Sequence, residues 1–325
     1  MVEKFMEEKE TTFWKADRKG IRCKVCFFSC SIPEKGKGIC EVRENKKGVL
    51  FLSGFGNIDG LEVNKVEERS LYHFIPGNNI LVVDMMSPKE FKVMPKVESM
   101  KKKLNPQELV SYAKSKGARG IFFTGSESVG HFEYLVKVFR EARRSNVKTI
   151  LGTVGLLNED PIKKIAKYID GLVFYFFASG NEDYYKKYGL IKNVENCFEN
   201  LKFLFRYRMF IEIVNVLKKG YEDEENCVKL ANWIVSNIGA ETPFHIVRDD
   251  VKLSLADLKN LHTKCKDSGL RYVYIDGVKD SLLESTYCHN CNTLIAERFN
   301  NKLKSLNLTG ERCPNCGIKH NFLLE

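Results

Sequence analysis

Nowhere does the sequence hold an apolar run near the ~20 residues that a membrane-spanning helix requires, so no partner role in the bilayer is expected. The opening stretch, Met1 to Glu10, is charged and lacks the apolar core of a secretory signal. These absences place the protein in the cytoplasm as an expectation, where thiols stay reduced. Its 11 cysteines then read as metal ligands or buried apolar residues rather than as a disulfide framework. Internal repeats and low-complexity segments are also missing. A focus of basic charge is missing as well. The net charge is +10, but it is spread along the whole chain, and Lys101-Lys102-Lys103 is its one tight run. Such a balance permits nucleic acid as a partner without demanding it, and no basic, aromatic-interleaved stripe supports it.

What is present falls into three textures, read as domains 1–75, 76–282 and 283–325. The first holds four cysteines, several glycines and short β-like runs such as Val49-Leu50-Phe51-Leu52. The middle alternates apolar runs with amphipathic stretches. Strands are expected at Ile80–Val83, Ile121–Phe123, Thr149–Leu151, Leu172–Phe176, Phe210–Val214, Phe244–Val247 and Tyr272–Ile275. Between them lie helices, one opened by Asn105-Pro106 and ended by Gly117, another opened by Asn158 and Pro161. Strands joined by crossovers this long must run parallel with right-handed connections. The fold class is therefore α/β. We expect a partial (β/α)6-type barrel with an N-terminal four-Cys module and a C-terminal zinc ribbon, an open doubly wound sheet being the alternative. Ligands should approach the carboxyl ends of the strands.

Cysteine spacing carries the chemistry. Cys288-His289-Asn290-Cys291 and Cys313-Pro314-Asn315-Cys316 form two C-x2-C knuckles separated by a short β-rich stretch, the pattern of a zinc ribbon. Two intervening residues let both sulfurs of a knuckle converge on one ion, and Gly317 supplies the positive φ such a turn needs. Four thiolates close a tetrahedral Zn²⁺, so the site is read as structural. Four sulfurs suffice, which leaves His289 out of the ligand set. Cys23, Cys26, Cys30 and Cys40 form the second expected site, with glycines at 36 and 38 letting the chain fold back. Zinc is its simplest occupant, and an iron–sulfur cluster is the alternative. Cys197, Cys227 and Cys265 are far apart in sequence and read as small core residues.

Cys23-Lys24-Val25-Cys26, Cys30, Gly38-Ile39-Cys40-Glu41-Val42-Arg43 and Gly48-Val49-Leu50 resemble the start of the radical SAM proteins of the activating-enzyme type, in the branch called AmmeMemoRadiSam. Leu71-Tyr72-His73-Phe74-Ile75-Pro76-Gly77 resembles that branch's next landmark, and Tyr287 to Gly317 is similar to its terminal ribbon. The resemblance implies a C-x3-C-x2-C loop after the first barrel strand, holding a [4Fe–4S] cluster that chelates S-adenosylmethionine. Here that loop, Asp84 to Pro95, has no cysteine, and none occurs between Cys40 and Cys197. Methionine thioethers cannot replace three thiolates. Gly125-Ser126-Glu127-Ser128 stands where the family has Tyr-Asn-Glu-Pro, and Tyr175 and Phe177 align with its Asp and Lys. Glu127, His245 and Arg248 remain as polar candidates at the barrel mouth, and the losses weaken any S-adenosylmethionine site.

Three readings follow. The first is a cluster-less radical-SAM-like protein that keeps structural zinc and binds a partner, such as an intact radical SAM enzyme or that enzyme's substrate. The second is an active enzyme, either of the radical SAM type or one using Glu127 and His245 for acid–base or methyl-transfer chemistry. For His245 a hydrogen-bonded structural role competes with the catalytic one. The third is a nucleic-acid-binding zinc-ribbon protein.

Overall fold

The computed structural model describes residues 9–88, 96–125, 127–188, 193–221 and 223–325. A nine-stranded mixed sheet that resembles a partial barrel forms the body. Its strands are β1 (Asn57–Lys65), β2 (Asn79–Met85), β3 (Ser99–Lys103), β4 (Gly120–Phe123), β5 (Lys148–Thr153), β6 (Gly171–Phe177), β7 (Phe210–Lys218), β8 (Phe244–Asp249) and β9 (Val273–Ile275). They lie in the order β9-β8-β7-β6-β5-β4-β2-β1-β3. The seven strands from β2 and β4 to β9 run parallel and stand in sequence order, while β1 and β3 add an antiparallel edge. Right-handed crossovers between sequential neighbours put every connecting helix on the same face of the sheet.

Those helices include α1 (Pro106–Ser115), α2 (Phe132–Arg144), α3 (Glu159–Ile165), α4 (Glu182–Lys187), α5 (Glu195–Phe205), α6 (Glu224–Asn237) and α7 (Leu255–Asp267). The expected starts hold for physical reasons. Asn105 accepts from the Glu108 N–H while the Glu108 carboxylate accepts from the Asn105 N–H, a reciprocal cap with Pro106 at the first helical position. Asn158 does precede α3, but its side chain makes no cap. It donates instead to the carbonyls of Lys24 and Cys26, pinning the amino-terminal region to the barrel.

Alternation along each strand decides what each face carries. Phe123 packs edge-on against Phe139 of α2, and Asn215 donates to the Cys227 sulfur of α6, so these positions face the helices. Their neighbours face the other way. There Tyr175, Val214, His245 and Tyr274 stand side by side in register on β6 to β9. The segment Leu71–Ile75, wholly buried, lies across this inner face. The chain's last residues follow it, with Leu323 exchanging backbone hydrogen bonds with His73 and Ile75.

Small antiparallel sheets flank the body. Trp14–Asp17, Gly20–Cys23 and Ser31–Ile32 form one, and Lys9–Glu10, Val49–Leu52 and Arg43–Lys46 a second. The third, Thr286–Tyr287, Leu294–Arg298 and Leu303–Leu306, belongs to the ribbon.

The expected N-terminal four-Cys metal module is corrected here. Cys23, Cys26, Cys30 and Cys40 line one small apolar cavity together with Arg43. Among the described residues, however, the only set of three or more metal-ligating groups whose donor atoms all fall within 4.8 Å is Cys288, Cys291, Cys313 and Cys316. Cys23, Cys26 and Cys30 share one hairpin, with the Cys23 N–H on the Cys30 carbonyl at 2.9 Å, whereas Cys40 arrives from a separate turn, and the four sulfurs do not close to ligand spacing. Cys23 ends a strand, Cys26 bridges to Leu157, and Cys40 packs against Gly130. The four-cysteine module is therefore C-terminal, and the second zinc or iron–sulfur site expected at Cys23, Cys26, Cys30 and Cys40 falls with it. Among the described residues, no helix is long and apolar enough to cross a membrane.

Candidate functional site

The ribbon's two knuckles are built by local turns. The Cys288 N–H bonds to the Thr293 carbonyl at 2.8 Å and the Asn292 N–H to the Cys288 carbonyl at 2.9 Å, with Asn292 at φ 58°. The second turn repeats this plan. Cys313 N–H meets the Ile318 carbonyl at 2.9 Å, and Gly317, at φ 72°, bonds back to the Cys313 carbonyl at 2.9 Å. Cys288 and Cys316 sulfurs stand 3.6 Å apart, as do those of Cys291 and Cys313. Tetrahedral Zn–S bonds of about 2.3 Å place sulfurs roughly 3.8 Å from one another, so the four residues fit zinc. The Thr293 hydroxyl, and then its backbone N–H, stabilise the Cys291 thiolate and bring that thiol down to about 5. Burial pushes Cys288 up to about 11. His289 lies beside the His320 ring, 4.9 Å between centroids, and outside the four-sulfur set.

The amino-terminal thiols have different surroundings. Burial, more than any other influence, raises Cys23, Cys26 and Cys40, although the Arg43 guanidinium opposes this at Cys23 and Cys40. Neutral thiols in an apolar cavity are what that environment favours.

His245, Glu127 and Arg248 were expected at the barrel mouth, and the structure disperses them. His245 is fully buried on the inner face. Its Nε2 meets Glu212 at 2.9 Å and its Nδ1 meets Asp276 at 3.0 Å. Burial opposes charge on the ring, but the Asp276 and Glu212 carboxylates outweigh it and raise His245 to about 9. At neutral pH it is an imidazolium donating from both nitrogens, which leaves no lone pair for a general base.

Glu212 is the hub of that region. Its two oxygens also accept the backbone N–H groups of Tyr72, His73 and Phe74 at 2.9 to 3.0 Å. Burial disfavours its charge, yet the His245 hydrogen bond and the neighbouring imidazoles hold the carboxyl below its usual value. From Asp276 the network reaches the Ser70 hydroxyl. Through His73 it reaches Tyr274 at 2.6 Å, and Tyr274 meets Thr286 at 2.7 Å. Arg298 of the ribbon joins it by donating to Thr286 at 2.8 Å and to the Tyr72 carbonyl, its guanidinium 4.4 Å from the Tyr72 ring centre. This seam locks the ribbon, the Leu71–Ile75 segment and the barrel together. Sequence reasoning passed over Glu212, although a lone acid inside the apolar run Ile211-Glu212-Ile213 was the available signal.

Glu127 follows β4 and is 3% exposed. It accepts from the Thr153 hydroxyl at 3.0 Å and the Val154 N–H at 2.8 Å. Burial raises its carboxyl to about 7 despite these bonds. Arg248 lies in β8 in register with Leu217, on the face opposite His245. The two residues aligned with the family's Asp and Lys, Tyr175 and Phe177, are each 1% exposed. Of the loop expected to carry a cluster, the stretch 89–95 lies outside the described residues, as does Ser126. Cys227 and Cys265, distant in sequence, meet between α6 and α7 with sulfurs 3.9 Å apart.

No family model matches the chain. A protein of Methanocaldococcus jannaschii described as uncharacterized protein MJ0808 is 28% identical over 341 residues, covering 97% of this chain and 100% of that one. Among solved structures, a domain of the pyruvate-formate lyase-activating enzyme from Bacteroides vulgatus matches with a TM-score of 0.45 at 17% identity, over 49% of this chain and 99% of that one. SuiB of Streptococcus suis bound to its precursor peptide SuiA matches with a TM-score of 0.44 at 16% identity, over 58% of this chain and 45% of that one. Both structural matches are distant and partial. Between Cys40 and Cys197 this chain has no cysteine.

Proposed function

We propose that the protein is a radical-SAM-like scaffold without the cluster, binding a protein partner rather than running radical chemistry, with one structural zinc in its C-terminal ribbon. The observation that carries this reading is a contrast in thiols. Four sulfurs converge in the ribbon, whereas the sequence places no cysteine in the loop at the end of β2, Asp84 to Pro95, where a cluster would need three. An iron–sulfur cube needs anionic sulfur, which Met85, Met86 and Met94 do not supply. The state of His245 supports the same reading, because a doubly hydrogen-bonded imidazolium holds a seam together and does no acid–base work.

In the ribbon, Cys288, Cys291, Cys313 and Cys316 would hold the ion. A closed four-thiolate zinc supplies folding energy and offers no open coordination position for chemistry.

Elemental analysis of protein purified without oxygen tests the proposal. One zinc, no iron and a colourless solution are expected. Iron near four per chain, with reductive cleavage of S-adenosylmethionine on adding dithionite, would sink it. Chemical cross-linking in native cells tests the partner role, with a reproducible protein adduct expected and its absence counting against the scaffold.

A further inference from the structure

At the amino ends of the parallel strands, opposite the mouth discussed above, an open cleft of 460 Å³ is walled by β5 to β7 and the chain's last residues. Four cations line it, each from a different place in the sequence. Arg143 lies in the last turn of α2, Lys148 opens β5, Lys167 sits in the turn after α3, and Arg208 lies in the left-handed turn before β7 at φ 55°. Among the described residues none of the four pairs with an acid. Arg143 donates only to the Lys167 carbonyl, which fixes one against the other. The single acidic side chain lining the cleft, Asp170, is already taken, since its Oδ2 accepts from the N–H and hydroxyl of Thr149.

Two aromatic rings share the cleft with these charges. Phe205 and Tyr207 are 42% and 37% exposed, which is unusual in a chain whose other aromatic side chains are mostly covered. Basic residues near helix ends are expected from the helix dipole alone. That effect does not bring cations from three connections into one concavity, leave them without acids, or set exposed rings among them. Cations without acidic partners beside exposed rings match phosphate joined to a planar base, because the rings stack on the base while the cations hold the phosphate. The volume also lies within the range of small-ligand sites.

We propose that this cleft binds a nucleotide, its base stacked on Phe205 or Tyr207 and its phosphates held by Arg143, Lys148, Lys167 and Arg208. The chemistry is common to a free nucleotide and to a short single strand of nucleic acid. It does not depend on the scaffold reading above, since none of these residues belongs to the ribbon or to the seam around Glu212.

Titration of the full-length protein with ATP, with an oligouridylate of about eight nucleotides and with inorganic pyrophosphate tests it. Saturable binding of ATP or of the oligonucleotide is expected, weakening as salt rises from about 50 to about 200 mM. Saturation by ATP with no gain for the oligomer assigns the free nucleotide, and much tighter binding of the oligomer assigns the strand. Lys167→Glu with Arg208→Glu should cut affinity at least tenfold, and Tyr207→Ala roughly tenfold. All three positions are exposed, so zinc content and thermal midpoint should stay at wild-type values. Failure of both nucleotide probes to saturate overturns the proposal. So does unchanged affinity in the charge-reversed variant, or pyrophosphate binding as tightly as ATP with Tyr207→Ala silent.

Discussion

At the carboxyl end, Cys288 and Cys291 share one tight turn and Cys313 and Cys316 another, each closed by backbone hydrogen bonds within about five residues. At the amino end, Cys23 ends a strand of a flanking sheet, Cys26 leans on Leu157, and Cys40 lies beside Gly130, so the four sulfurs are not all placed by one local motif. Both quartets have four thiols and a short first spacing. Cys23, Cys26 and Cys30 also share one hairpin, closed by the Cys23 N–H on the Cys30 carbonyl, but Cys40 stands outside it, and only the C-terminal set pairs two matching knuckles. The lesson is that paired knuckles predict convergence, whereas a dispersed set predicts only a shared neighbourhood.

Metal content gives the largest test of that difference. Cys313→Ser should lose the zinc and unfold the ribbon, since structural zinc is worth on the order of 10 kcal/mol in such modules. Cys30→Ser should leave zinc per chain unchanged by elemental analysis. A loss of metal from Cys30→Ser would erase the distinction.

The seams that attach the two regions differ next. Glu212→Ala strips three backbone N–H groups and the His245 imidazolium of their shared acceptor, and should cost about 3 to 5 kcal/mol in denaturant unfolding. Arg43 ties the amino-terminal region to α2 through Glu133 and the Gly130 carbonyl. Its loss should cost less, because the Glu133 side chain keeps 10% exposure and can turn to water, whereas the side chains of Glu212 and His245 are at 0%. Equal costs would show that both regions are held alike.

Protons probe the ribbon seam and, separately, Glu127. His245 is raised from 6.5 to about 9, so its stabilisation is complete below about 6.5 and is lost as pH rises through about 9. The loss should be on the order of 3 kcal/mol, and His245→Gln should abolish that step in urea titrations at successive pH values. Glu127, raised from 4.5 to about 7, adds a separate decline that is complete only above about 7 and survives in His245→Gln. Glu212 acts in the other direction. Its carboxyl is lowered, so its contribution is present above 4.5 and disappears on acidification. The smallest effect belongs to His289→Ala, which should keep full zinc and cost under about 1 kcal/mol, because four sulfurs already complete the tetrahedron.

Much of the body was legible. All seven parallel strands were expected within a few residues of their observed bounds, because a strand buried on both faces announces itself as an apolar run. The cap at Asn105 was equally readable, being closed within four residues. Less legible was what those strands carry inward. Glu212 and Asp276 gained their meaning only when register set them on either side of His245, and a presumed mouth residue became part of a buried clamp. Cys227 and Cys265 were read as unrelated core residues, yet the packing of α6 on α7 brings them into contact.

By itself, then, the order of residues determined the βα rhythm, the helix caps and the ribbon's knuckles, since each depends on hydrogen bonds and burial periodicity within one short stretch. The tertiary structure alone decided that the amino-terminal thiols do not close on one another, that His245 is charged, and that scattered cations meet beside Phe205 and Tyr207. Those outcomes depend on desolvation and on distances between elements, neither of which has a value until the strands have taken their register.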